Sequence, residues 1–121
     1  MIEFSLDKPT GILLVRPIGP LSEEDFTNLA KEVDPFIEEA GNLSGLILEF
    51  KSFPGWEDFG AAVNHFRFVR DHHKKVTKVA VVTDSPIAAF AEKITSHFVS
   101  AQIRHFGADQ MMPAKRWVAG D

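Results

Sequence analysis

Five histidines, one serine that follows a strand-like run and two adjacent carboxylate pairs are the groups in this chain with chemistry to offer. A metal site shows ligands paired at spacings such as i, i+4 on one helix face. His72 and His73 are neighbours, so on a helix they diverge by about 100° and do not chelate one ion. His65 and His72 lie two turns apart, and His97 and His105 have no acidic neighbour at a recognised spacing. His72, His73, Lys74 and Lys75 instead form a basic helix end, which the helix dipole favours without any ligand. Ser85, in "TDSPIAAF", lacks the G-x-S-x-G frame of a strained nucleophile. Followed by Pro86, it has the chemistry of an N-cap with proline at the first helical position. No G-x-x-x-x-G-K or glycine-rich strand-to-helix loop occurs, so those phosphate cradles are missing. Glu23/Glu24 and Glu38/Glu39 fall on the solvent side of a helical pattern and read as a charged, solvated face. These residues assemble no catalytic set, and they call for neither a metal nor a cofactor.

The stretch "KSFPGWE", residues 51–57, is different. It follows the apolar run "LILEF" (46–50) and leads into an amphipathic pattern. In an open parallel sheet the ligand crevice lies beyond the carboxyl ends of the strands. Three loops should meet there: "PIGPLS" (17–22), "KSFPGWE" and "TDSP" (83–86). Trp56 has three possible uses at such a corner: stacking on a ligand, docking a partner, or filling the gap over Phe53 and Phe59. Aromatic side chains bring large buried area to any of them. The candidate partner or ligand surface is therefore Ser52, Phe53, Pro54, Gly55, Trp56, Asp58 and Phe59, joined by Asp84 and Ser85. Pro54 and Gly55 shape the turn, and Asp58 is placed to cap the following helix.

The elements that must position this surface alternate between strand and helix. Residues 2–5 and 12–17 read as strands that could form a hairpin around "KPTG", with Gly11 free to take positive φ. A helix follows, with Ser22 as N-cap, acids in its first turn and Gly41 as its stop. Pro35 inside that pattern is expected to kink or divide it near Asp34. Strands follow at 46–50, 78–83 and 101–106. Helices are expected at 58–73, after Ser85, and within 108–120, where Pro113 is tolerable only in the first turn. The order β-β-α-β-α-β-α-β-α predicts a single α/β domain with a mostly parallel sheet, right-handed crossovers and the first strand antiparallel near an edge. With all crossovers of one hand, the helices cover one sheet face. The other apolar face then needs a homodimer or the first helix behind it.

The chain has 121 residues, 45% hydrophobic and 25% charged, which fits one soluble globular domain. Its net charge of −4 gives no electrostatic case for nucleic-acid binding. No apolar run nears the roughly 18–20 residues needed to cross a bilayer. There are no cysteines and no basic-then-apolar leader, so a cytoplasmic location is expected. Eleven Phe and no Tyr predict a large-volumed, dry core without phenolic acid–base groups.

The strand "GLILEF", then "FPGWEDFGAAVNHFRFVRDHHKKVTKVAVVTDSPIAAFAEKI", then "SAQIRHFGADQMMPAKRWV" together resemble the SpoIIAA-like proteins of the STAS superfamily. The resemblance implies a right-handed β/α superhelix, shared with CRAL-TRIO domains. It also implies the role of anti-sigma-factor antagonists, which bind a protein partner and are switched by phosphorylation of a serine at the start of the helix after the third strand. Here Asp58 and Gly60 match the ends of that D-S-[ST]-G motif, and Phe59 stands where its hydroxyl belongs. No Ser or Thr occurs from Phe53 to Arg70. The expectation is a non-enzymatic protein-interaction or regulatory module without the phosphorylatable serine, with a protein partner or a second copy of itself. The alternative is a binder of a small apolar or lipid-like ligand, suggested by the many Phe residues and the CRAL-TRIO likeness.

Overall fold

The computed structural model describes residues 1–51, 59–72, 75–84 and 101–120. Five strands form one sheet in the order β1-β2-β3-β4-β5. They are β1 (Ile2–Asp7), β2 (Ile12–Pro17), β3 (Leu43–Glu49), β4 (Val76–Val82) and β5 (Gln102–Phe106). The helices are α1 (Glu23–Ala40), α2 (Phe59–His72) and α3 (Met111–Val118). β1 pairs antiparallel with β2, and every later pairing is parallel. The helix expected after Ser85 lies outside the described residues.

The hairpin closes through Gly11, whose φ of 72° is open to glycine at little steric cost, and whose N–H donates to the Asp7 carbonyl at 2.8 Å. α1 starts on a reciprocal capping box. Ser22 Oγ accepts from Asp25 N at 3.2 Å, and Ser22 N donates to Asp25 Oδ2 at 2.8 Å. Gly41, at φ 92°, ends the helix by donating to the Ile37 carbonyl at 2.7 Å.

Three expectations need correction. α1 runs unbroken from Glu23 to Ala40 through Pro35. Proline removes the hydrogen bond that the Lys31 carbonyl would accept, but Lys31 and Pro35 are both exposed, so water can satisfy it. β1, β3 and β4 are longer than their sequence patterns. Leu6↔Leu13, Asp7↔Ile12 and Leu43↔Val76 pairing carries each strand past the polar residues that seemed to bound it. Finally, α1 does not pass behind the sheet. Its buried Leu29 and Val33 share a core with Leu13, Val15, Leu46, Val79 and Val81, and Phe68 of α2 packs against the same cluster.

The opposite face is covered by α3. Ala114 and Val118 join Ile47, Ala80, Val82 and Phe106 in a second core. The contact depends on Gly45 in β3: a Cβ there would overlap Val118 Cγ1. Lys78 of β4 fixes the far end of α3, donating from Nζ to the Trp117 carbonyl at 3.1 Å while lying 5.4 Å from the Trp117 ring centre. α3 thus covers β3, β4 and β5 on this face.

Candidate functional site at the carboxyl edge of the sheet

β2, β3, β4 and β5 are parallel, so Pro17, Glu49, Val82 and Phe106 end on one edge. Short ties hold that edge together. Phe50 N donates to the Val82 carbonyl at 3.2 Å, and Thr83 N donates to the Phe106 carbonyl at 2.9 Å. Thr83 is fully buried, and its carbonyl accepts from His105 Nε2 at 2.7 Å.

Asp84 follows immediately. Its Oδ1 accepts from Ala108 N at 2.9 Å, and Gln110 Oε1 accepts from Gly107 N at 2.8 Å. These two bonds close the turn from β5 into α3 and position Gly107. A Cβ there would stand 3.1 Å from Asp109 Oδ1 and 3.3 Å from Asp84 Oδ1. Asp84, expected to line a binding crevice, therefore ties one loop of that edge to the next. Phe59 is the first residue of α2, which places the start of that helix directly after the candidate loop. Ser52, Phe53, Pro54, Gly55, Trp56, Asp58 and Ser85 lie outside the described residues.

A charged row missed in the sequence sits on the face of β1–β3 opposite α1, near this edge. Arg16 Nε donates to Glu49 Oε1 at 2.6 Å, and Arg16 Nη1 to Glu3 Oε2 at 3.3 Å. The hydrogen bond to Glu49 and its charge, with smaller contributions from Glu3, raise the guanidinium pKa and outweigh the lowering by burial. The signal was present as Glu49, a charge closing an otherwise apolar strand. Its partner stands 33 residues away and is found only once β2 and β3 are in register. Exposed Met1 and Ile18 lie at the same end of the sheet, where Ile18 N donates to the Met1 carbonyl at 3.1 Å.

The first turn of α1 borders this edge. Asp25 Oδ2 accepts from Ser22 N and lies 3.0 Å from the Met1 amino group. Burial alone would raise the Asp25 carboxyl. The Ser22 amide, the amino group and the Ser22 hydroxyl outweigh it and hold the pKa below the usual value. Met1, Pro20, Ser22 and Asp25 border a shallow hollow, and Glu3, Phe4, Ser5, Leu14 and Arg16 line another of about 90 Å³. Both are open to solvent, and the first holds about 410 Å³. Among the described residues, no three His, Asp or Glu side chains converge as a metal site.

The edge geometry, the capped α1 and the strand order accompany a family match over residues 12–119 to the model described as SpoIIAA-like. The chain belongs to the SpoIIAA-like family. A solved structure agrees in fold: an uncharacterized protein from Shewanella loihica PV-4 with a SpoIIAA-like fold. It superposes with a TM-score of 0.73 at 17% identity, over 97% of this chain and 93% of that one. No curated protein matches the sequence. No helix among the described residues is long and apolar enough to span a membrane.

Proposed function

We propose that this SpoIIAA-like protein is a non-enzymatic, STAS-type interaction or regulatory module. It docks a protein partner through the loops at the carboxyl ends of its parallel strands. The observation that carries the reading is the convergence of four parallel strand ends on one edge, with the aromatic loop "SFPGWED" leading directly into α2. Phe59 opens that helix, so the partner is recognised without a phosphate added at this position. A phosphate there would bring about two negative charges to a helix N-terminus. The sequence has an apolar phenylalanine there instead.

The test is competitive capture from a bacterial lysate, with immobilised wild-type protein and a Trp56→Ala variant of confirmed fold. The reading expects a discrete protein retained by the wild type, displaced by free wild-type protein, and lost with Trp56→Ala. Equal retention by both proteins would count against the loop. A strict monomer with no displaceable partner would count against an interaction role.

A further inference from the structure

We propose that His72, in its protonated form, is a pH-dependent clasp holding the second half of α1 against α2. The imidazole is 15% exposed and reaches between the two helices. Its Nδ1 lies 2.7 Å from the Phe68 carbonyl oxygen, and its Nε2 lies 2.5 Å from Asp34 Oδ1. Both oxygens are acceptors. A neutral imidazole has one N–H and one lone pair, so only the doubly protonated ring donates to both. Whichever nitrogen loses its proton then turns a lone pair toward an oxygen, and that contact opens.

Charged groups of both signs lie around the ring. Asp34, on α1, is the carboxylate in contact, and Glu38 lies one helical turn beyond it. His72 is the last residue of α2, where the helix dipole stabilises positive charge. The Phe68 ring stacks on the imidazole at 4.0 Å between centres and 19° between planes, and Phe26 of α1 meets Phe68 at 6.1 Å. Asp71 adjoins His72 on its own helix. Lys75 lies just past α2, and Lys31 lies one turn before Asp34. The clasp sits beside Pro35, where α1 already lacks one backbone hydrogen bond. Releasing it therefore loosens residues 35–40, the segment that delivers the chain to β3.

Two measurements on the full chain test this. The first is ¹⁵N-histidine long-range correlation across pH 5.5 to 8.5, which reads the protonation of each ring nitrogen. The second is amide exchange of residues 33–40 over the same range, corrected for intrinsic rates. The expected result is a His72 ring protonated on both nitrogens at the acid end. Protection of 33–40 should fall roughly two- to fivefold as that ring loses a proton, the scale of an exposed ion pair. Asp34→Asn and His72→Gln should flatten this dependence. Asp34 is largely exposed, so its variant is expected to fold. A neutral His72 ring throughout, a pH-independent protection, or a wild-type pH dependence retained by Asp34→Asn would overturn the proposal.

Discussion

Replacing Gly45 by alanine puts one methyl group into the contact between β3 and α3. The new Cβ would overlap Val118 Cγ1 and stand 3.2 Å from Val118 Cβ. Val118 is 3% exposed and belongs to the core beneath α3, so its side chain has little room to retreat. Overpacking a well-filled core costs about 1–3 kcal/mol. Alanine returns about 0.4–1 kcal/mol by restricting the unfolded chain, provided the strand conformation suits it. The net expectation is a loss of roughly 1–2 kcal/mol, or a fall in Tm on the order of 4–8 °C for a domain of this size. Urea denaturation at matched m-values measures it. The mechanism also predicts a coupling. Val118→Ala alone loses packing, but in the Gly45→Ala background it makes room for the new methyl. The double variant should therefore be more stable than the sum of the single effects by about 0.5–3 kcal/mol. A neutral Gly45→Ala variant, or strict additivity with Val118→Ala, would refute the close α3–β3 contact.

Three further outcomes follow from the ends and edges of the elements. Ser22→Ala removes the capping hydroxyl from Asp25 N and should cost about 1 kcal/mol, read by chemical denaturation. Asp25 has its folded-state pKa lowered, so the stability it contributes is present above its unfolded pKa and disappears as pH falls through the folded value. Asp25→Asn should therefore flatten the acid limb of a stability–pH curve, and an unchanged limb would contradict the assignment. Arg16→Leu should lower stability by about 1 kcal/mol or less, with the loss shrinking in high salt, because the Glu3–Arg16–Glu49 row is partly exposed.

The parts of the fold legible in the sequence are those written in local signals. Ser22 three residues before an acid, Gly41 after an amphipathic run, and Gly11 in a tight turn each act within a few residues. The strand limits at Leu43 and Val76 were not legible, because Ser44, Gly45 and Thr77 read as polar or small. Pairing between β3 and β4 carries the strands through them. Pro35 reads as a break in the sequence alone, and its exposure, which lets water meet the Lys31 carbonyl, is set by the tertiary fold. The cover on the second sheet face was half legible: Trp117 and Val118 were available to pack, but their destination depends on Gly45 and Lys78, which are distant in sequence. For the same reason Arg16 was not linked to Glu49. Asp84 directly follows β4, but its bond to Ala108 is a tertiary fact that spacing does not encode.

The most direct test of the interaction surface is site-specific photo-crosslinking in cells. A photoreactive phenylalanine analogue is placed at position 56 in the loop or, for comparison, at Met112, which is 63% exposed on α3. A discrete protein adduct should form at position 56, suppressed by excess wild-type protein, and none at position 112. Adducts from position 112 alone, or no adduct at position 56 under conditions where the protein is folded and abundant, would contradict it.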